Sequence, residues 1–172
     1  MTLKSLEKLS SENKYYMSGF LDADGCILTQ IVKGSSYKYG YTVRVSVVFY
    51  QLNKRYWFLM QLKDSLDMGA LRQKKDGMAE LTISGFKPVE NLLKSLLPCL
   101  RIKKPLAKLV LEIIDKYKQV NTEADFLKVC ILVDKTAELT DSKNRKNTYF
   151  SVRKYLDSRK AVSYTHLTLP TN

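Results

Sequence analysis

The sequence is poor in the residue types on which several classes of hydrolase depend. It has one histidine, His166, and three cysteines that are far apart and form no C-x-x-C pair: Cys26, Cys99 and Cys130. This composition disfavours a nuclease that uses a histidine base or a His/Cys zinc cluster. The odd number and wide spacing of the cysteines predict buried thiols in a reducing compartment.

Long apolar runs and acidic residues are also scarce. No apolar stretch approaches the roughly 20 residues of a membrane span, and no secretory signal is recognised at the start, so we expect no membrane partner. Lys plus Arg number 29 against 17 Asp plus Glu, which gives a net charge of +12 over 172 residues. Such an excess favours a polyanion, most commonly nucleic acid. A basic scaffold protein that binds no nucleic acid is the alternative on composition alone.

The most informative segment is a predicted helix over residues 10–25. Ser10 or Ser11 can cap its start, and Gly25 is expected at C′, where helices commonly end in a left-handed glycine. Asp22 and Asp24 occupy the last turn, where the helix dipole is already negative and a carboxylate is disfavoured. Two acids in that place call for a compensating cation, and a bound metal ion is the obvious candidate.

The same helix carries small residues one turn apart. Gly19 and Ala23 lie on one stripe, so that two helix backbones can approach closely along it. The stripe therefore predicts a helix–helix contact.

The rest of the chain alternates between strand and helix patterns. Residues 41–50 form the clearest strand, with Val43, Val45, Val47 and Phe49 on an apolar face and Arg44 among the side chains on the other. Further strands are predicted at 26–33, 70–75 and 78–84, the last two joined by a turn at Asp76-Gly77, and helices at 53–67, 87–97, 105–117, 122–139 and 146–158. The order predicts an α+β fold with an αββαββα core, one antiparallel sheet and extra C-terminal helices.

The nine residues 17–25, MSGFLDADG, resemble the motif that names the LAGLIDADG homing endonucleases. Other strings extend the resemblance over most of residues 10–158: Tyr37-Lys38, Trp57-Phe58-Leu59, Lys87-Pro88, Leu100-Arg101-Ile102-Lys103 and DSKNRK at 141–146. Since no second Asp-x-Asp-Gly helix end follows, the chain resembles the single-motif, homodimeric subgroup found in algal chloroplast introns.

The resemblance implies a fold, an activity and an origin. The four-stranded sheet would form a DNA-binding saddle. A homodimer would hydrolyse both strands of double-stranded DNA at a long pseudo-palindromic site and leave 3′ overhangs. The implied cofactor is Mg²⁺, with Mn²⁺ expected to substitute and Ca²⁺ to bind without cleavage, and no small-molecule substrate is implied. The protein would be intron-encoded and organellar, in a chloroplast.

The resemblance also implies roles for individual residues. Asp24 would be the catalytic acid and metal ligand, with Gly25 adding a backbone carbonyl. Gln51, Arg55 and Lys103 match the surrounding catalytic positions. The motif positions that would face the partner subunit are Gly19 and Ala23. DNA-binding positions would lie on the outward strands and in the last basic connection: Gln30, Tyr37, Arg44, Arg72, Lys74, Lys143 and Arg145. Arg, Lys and Gln have the donors that read base edges, whereas Lys143, Arg145 and Lys146 are expected to contact phosphates.

A second function stays open on the sequence, namely a cleavage-inactive DNA- or RNA-binding protein of the same fold, such as an intron maturase or a regulator. The combination of Asp24, Gln51 and Lys103 favours the enzyme, because a pure binder needs no acid beside a phosphate.

We expect one domain over residues 1–158. The remaining residues, 159–172, differ in composition and are interpreted as a C-terminal tail, either disordered or non-native.

Overall fold

Helices and strands follow the predicted order along the chain. The protein is seen in a computed structural model that describes residues 9–141 and 144–167, with side chains to residue 160. The elements are α1 (Ser11–Asp24), β1 (Gly25–Lys33), β2 (Tyr41–Leu52), α2 (Tyr56–Leu66), β3 (Ala70–Gln73), β4 (Met78–Ser84), α3 (Phe86–Leu96), α4 (Lys104–Lys118), α5 (Glu123–Lys135) and α6 (Tyr149–Leu167). Short 3₁₀ turns span Asn53–Arg55 and Thr136–Leu139. This order confirms the αββαββα core and the appended helices.

The four strands form one antiparallel sheet in the order β1-β2-β4-β3. The pairing of Gly25 with Phe49 and of Lys33 with Tyr41 makes β1 and β2 a long hairpin. The β3–β4 hairpin turns at Asp76-Gly77, where Gly77 has φ +83 and the Asp76 carboxylate accepts the Met78 N–H at 3.0 Å. The Asp-Gly turn was predicted because glycine adopts positive φ without a Cβ penalty.

One face of the sheet forms the core with the helices. Val43, Val45, Val47 and Phe49 are all buried on this face, as the alternation predicted. Leu81 and Ile83 on β4 are fully buried beside them. A fully buried aliphatic or aromatic side chain contributes about 1.5–3 kcal/mol, so this layer fixes the sheet against α1, α2 and α3. The opposite face, called the open sheet face below, carries the exposed side chains of Gln30, Arg44 and Arg72, although Val48 on the same face is buried.

The end of α1 differs from the prediction. Gly25 is the first residue of β1 and has φ −91, an ordinary extended conformation, instead of a left-handed one. A Cβ at Gly25 would lie 2.5 Å from the Leu21 Cδ1 atom and 2.8 Å from the Leu21 Cα atom. Glycine is therefore required for close approach of the strand to the helix that precedes it, and the helix passes into the strand without a loop.

Asn53 is a favoured N-cap residue type and was expected to cap the helix predicted over 53–67, but it does not do so. The α2 helix begins at Tyr56 after the 3₁₀ turn, and its N-cap residue, Arg55, makes no side-chain capping bond. The Asn53 Nδ2 atom donates to the Lys74 carbonyl at 3.4 Å, and its backbone N–H donates to the Gly77 carbonyl at 2.8 Å. Asn53 therefore ties the end of β2 to the second hairpin.

The free cysteines are less uniformly buried than predicted. Cys130 is buried, and desolvation followed by the charge of Asp134 raises the pKa of its thiol to about 12. Cys26 and Cys99 are only half-buried.

The last helix continues past the predicted domain end at residue 158. Helix α6 runs from Tyr149 to Leu167, so the proposed boundary between domain and tail falls within it. The division at 158/159 stays a prediction, and its residues 168–172 lie outside the described part. Among the described helices, none combines the length and hydropathy that a membrane crossing requires.

Candidate functional site

The two acids at the end of α1 have different surroundings. The Asp22 carboxylate accepts three backbone N–H groups from the turn before α4: those of Arg101 at 2.8 Å, Ile102 at 3.3 Å and Lys103 at 2.9 Å. These donors supply the positive potential that the end of α1 lacks. The predicted need for a cation at Asp22 is therefore wrong, because the protein backbone compensates this charge.

Asp24 has no such compensation. Its side chain is exposed, and no hydrogen bond or ion pair involves it among the described residues. The last turn of α1 contains no basic residue. A carboxylate at this negative helix end is the group on which a cation would be bound most favourably.

One chain offers a metal only part of a site. Within residues 9–141 and 144–160, no three His, Cys, Asp or Glu side chains lie close enough to hold an ion together. The donors present are the Asp24 carboxylate and nearby backbone carbonyls, which are hard oxygen ligands of the kind that Mg²⁺ and Ca²⁺ prefer. The donor type fits a divalent ion, whereas the number of protein ligands calls for a second source.

Lys103 lies against the same helix end. Its Nζ atom donates to the Asp22 backbone carbonyl at 2.6 Å, while its backbone N–H binds the Asp22 carboxylate. The half-buried ammonium group is thus fixed two residues away from Asp24 by contacts to the main chain of α1. The sequence predicted a catalytic position for Lys103 but not this double contact.

Gln51 and Arg55 approach from the end of β2. The Arg55 Nη1 atom donates to the Gln51 Oε1 atom at 3.3 Å. Because Gly25 pairs with Phe49, two residues before Gln51, the ends of α1 and β2 lie side by side. The structure therefore brings Asp24, Lys103 and the Gln51–Arg55 pair to one edge of the fold.

The open sheet face presents the predicted base-reading side chains. Gln30 and Arg44 are exposed and directly paired across β1 and β2. Arg44 Nη2 donates to the Tyr37 hydroxyl at 2.9 Å, which holds the guanidinium over the hairpin. These three positions form one polar group at the outer end of the long hairpin.

The second hairpin carries a partly neutralised group. Arg72 is exposed and paired with Glu80 across the strands. Lys74 forms an ion pair with Glu80 at 3.2 Å and lies over the Tyr50 ring. The hydrogen bond to Glu80 is the main cause of a raised pKa for Lys74. Lys74 is therefore a charged side chain whose direction is set by Glu80.

The residues predicted to contact phosphates differ in their surroundings, and of these Lys146 is exposed. Lys143 lies outside the described residues. Arg145 is half-buried, and its guanidinium donates to the Thr29 carbonyl at 2.8 Å and to the Thr136 hydroxyl at 3.0 Å. This position argues against a direct phosphate contact as the main role of Arg145.

The small-residue stripe of α1 faces away from its own chain. Gly19 and Ala23 are exposed, and a Cβ at Gly19 would meet nothing within 4 Å. The side chain of Tyr15 on the same stripe is 66% exposed, and Trp57 on neighbouring α2 is 56% exposed. Nothing in the described chain requires Gly19 to be small, so its size suits a partner from outside.

Sequence reasoning missed the backbone donors at Asp22 and the partners of Arg145. The Asp22 contacts join residues about 80 positions apart, and the contact of Arg145 with the Thr29 carbonyl joins residues 116 positions apart. The main-chain groups that these contacts use carry no sequence signal. The only hint was the unfavourable placement of an acid at a helix end.

Comparison with known proteins gives consistent matches. A family model described as LAGLIDADG endonuclease matches residues 17–104. DNA endonuclease I-CreI of Chlamydomonas reinhardtii is 38% identical over 152 residues, which cover 88% of this chain and 93% of that protein. DNA endonuclease I-CvuI of Chlorella vulgaris is 38% identical over 141 residues, or 82% of this chain and 88% of the relative. A crystal structure of I-CvuI with the I-CreI target, in the presence of Mg and with the DNA not cleaved, has a TM-score of 0.81 and 34% identity and covers 91% of this chain and 97% of that one.

The asymmetry between the two acids predicts opposite effects on stability. Asp22→Asn replaces one accepting oxygen with an NH₂ group that faces backbone donors, and we expect a loss of about 1–3 kcal/mol. Asp24→Asn removes an unfavourable charge and is expected to be neutral or slightly stabilising. Equilibrium urea unfolding at one fixed protein concentration measures both. Equal stabilities for the two variants would contradict the assignment.

Proposed function

The chain belongs to the LAGLIDADG endonuclease family, and from that membership we propose that it is a site-specific, divalent-metal-dependent DNA endonuclease acting as a homodimer. The observation that carries the proposal is the Asp24 carboxylate, which is exposed at a helix end and forms no ion pair with any described residue. The same helix presents an open small-residue stripe beside it. In this proposal, the metal site is incomplete in a single chain because its remaining ligands come from a second subunit that packs against the stripe on α1.

Dimerisation is proposed along α1. Close helix packing needs small residues at the contact, and Gly19 and Ala23 supply them on the exposed side. Tyr15, Tyr16 and Trp57 add exposed aromatic surface around the stripe. Tyr16 and Trp57 both contact Phe58 edge to face, so this surface continues from α1 to α2. Burial of these rings would stabilise the dimer.

The metal site is proposed to form from Asp24 of each subunit, with the Gly25 carbonyl as a further ligand. Two such carboxylates brought together would repel each other unless a cation lay between them. When bound, Mg²⁺ would supply Lewis-acid polarisation of the phosphate and activation of water. The family resemblance also implies that Mn²⁺ substitutes and that Ca²⁺ binds without cleavage.

The remaining site residues are proposed to act on the charge and orientation of the reacting groups. Lys103 is fixed to Asp22 through its ammonium group and through its backbone N–H, and its ammonium group would stabilise developing negative charge on the phosphate. Arg55 adds a second cation, and its bond to Gln51 restrains an amide that can orient water. These roles need no histidine, in keeping with a chain that has only one.

The open sheet face is proposed to lie in the major groove. That groove admits a two-stranded ribbon, and the β1–β2 hairpin with Gln30, Tyr37 and Arg44 has the donors to read base edges. Arg72 and Lys74 would extend this readout on the second hairpin. A strand of about 10 residues spans roughly one turn of duplex, so a dimer would cover a pseudo-palindrome of about twice that length.

We also infer an intron-encoded, organellar origin, with the chloroplast as the compartment. Support comes from the family resemblance and from the two green-algal relatives. Cleavage with 3′ overhangs follows the same resemblance.

Gly19→Leu should disrupt the dimer. The added side chain would lie where two backbones need to meet, and overpacking of this kind costs about 1–3 kcal/mol or more. Ala124→Leu is the matched control, since Ala124 is also an exposed helical residue, on α5. Sedimentation velocity should show a shift to monomer for Gly19→Leu only. An unchanged dimer would remove α1 from the interface.

Asp24→Asn should abolish cleavage and preserve DNA binding. The amide keeps the shape but cannot hold a cation as a carboxylate does, and binding is expected to be equal or tighter because a charge repulsive to phosphate is gone. Asp64→Asn, an exposed acid on α2, serves as control and should cut normally. A nicking assay with Mg²⁺ or Mn²⁺ beside a gel-shift titration on one site measures both properties. Parent protein that binds DNA but never cuts it would favour the maturase or regulator.

Arg44→Ala should relax base preference at one symmetric pair of positions. Loss of a bidentate base contact costs about 1–3 kcal/mol of discrimination. The measurement is a site-selection profile from a randomised target library. A profile identical to the parent's at every position would show that the outward sheet face does not read the bases.

A further inference from the structure

The free edge of β1 is held by side chains from the connection between Leu139 and α6. The sheet order places β1 at an edge. Arg145 Nη1 donates to the Thr29 carbonyl at 2.8 Å, and Asn147 Nδ2 donates to the Ile31 carbonyl at 2.9 Å. The two carbonyls belong to the residues on either side of Gln30.

Arg145 is itself held by a buried hydroxyl pair. Its Nη2 atom donates to the Thr136 hydroxyl at 3.0 Å, and that hydroxyl lies 2.9 Å from the Thr29 hydroxyl. Thr29 and Thr136 are 3% and 1% exposed. The Arg145 Nε atom is also buried and has no partner within the described residues. Most of the guanidinium is therefore turned into the protein.

The connection is fixed a second time at the start of α6. The Asp134 carboxylate accepts the Tyr149 backbone N–H at 2.8 Å. Burial raises the pKa of Asp134, while that N–H and the charge of Arg145 act in the opposite direction. The segment from Arg145 to Tyr149 is thus anchored to β1 at one end and to α5 at the other.

We propose that Arg145 and Asn147 are positioning residues that clamp the β1 backbone around Gln30 and so set its base selectivity. The proposal rests on the proposed DNA-binding function of the sheet. Gln30 is exposed on the open face, whereas its neighbours Thr29 and Ile31 are buried and offer only their carbonyls to the edge. A side chain that reads a base must be placed to within a fraction of an ångström. An edge strand such as β1 has a neighbouring strand to restrain it on one side only.

Two kinds of substitution distinguish a positioning role of Arg145 from a direct phosphate contact: one that conserves the charge and one at a buried residue. Arg145→Lys keeps the charge but replaces the planar guanidinium, whose two terminal nitrogens reach two separate acceptors, with a single nitrogen. Thr136→Val removes a hydroxyl that DNA cannot touch. Asn147→Ala removes the second carbonyl contact and is a milder change should Thr136→Val fold poorly. Lys146→Met is the matched control, because Lys146 is exposed, lies next to Arg145 and forms no hydrogen bond or ion pair among the described residues.

The expected result is a loss of selectivity confined to the positions that Gln30 reads, identified first with Gln30→Ala. Arg145→Lys, Thr136→Val and Asn147→Ala should each lower preference there by about tenfold. In the Gln30→Ala background, Arg145→Lys should add no further loss at those positions. Lys146→Met should weaken all sequences alike and reduce the salt slope by about one charge per subunit. Parent-like profiles for Arg145→Lys and Thr136→Val would overturn the proposal.

Hydrogen exchange without DNA tests the clamp independently. Amides of β1 should exchange about tenfold faster in Arg145→Lys and Thr136→Val than in the parent or in Lys146→Met, because local opening of the strand becomes easier. Equal exchange in all four proteins would refute the clamp whatever the DNA results. Parent protein that binds no DNA, with exchange faster in the two clamp variants, would overturn the selectivity role together with the proposed function, and leave the clamp as a purely structural contact.

Discussion

The contact between the Asp22 carboxylate and the turn at residues 101–103 organises the functional end of the molecule. An acid at the negative end of a helix is unfavourable unless positive potential is supplied nearby, and three backbone N–H groups supply it here. The contact joins the end of α1 to the start of α4 and brings Lys103 to the helix end. Asp24 lies two residues further along, and no described residue compensates the negative charge of its carboxylate. An acid compensated by the backbone and an acid without such compensation thus occur two residues apart, because only Asp22 faces main-chain donors.

The open sheet face and the exposed stripe on α1 give the fold two separate surfaces. The sheet buries its valine and phenylalanine face against α1, α2 and α3 and leaves Gln30, Arg44 and Arg72 exposed on the other face. The stripe lies on the side of α1 that points away from this core, so helix pairing does not compete with the sheet for space. In the proposed dimer, the two sheets would form one continuous surface while the paired helix ends bring both Asp24 side chains to its centre.

Much of the fold could be predicted, because its elements rest on local signals. Alternation in β2, the Asp76-Gly77 turn and the Ser10 cap of α1 each depend on residues close in sequence, and each was confirmed. The predicted roles of single residues were wrong where a contact with a distant part of the chain outweighed the local preference. Asn53 has the chemistry of a cap but donates to Lys74 in the second hairpin. Gly25 has the chemistry of a left-handed cap but is needed for contact with Leu21. The resemblance predicted roles for Asp24, Gln51, Arg55 and Lys103, whereas the inward position of Arg145 depends on Thr29 and Thr136, which no motif marks.

The contacts of Arg145 and Asn147 also affect how molecules of this protein can meet. A sheet edge with unpaired carbonyls is a template on which another strand can add. On β1, side-chain donors already occupy the carbonyls of Thr29 and Ile31, and the opposite edge is β3, which is only 4 residues long. Short edges and blocked edges are both poor templates for strand addition. Both edges of the sheet therefore disfavour strand addition and fibril formation at high protein concentration. Self-association of this protein is expected to use helical surfaces instead.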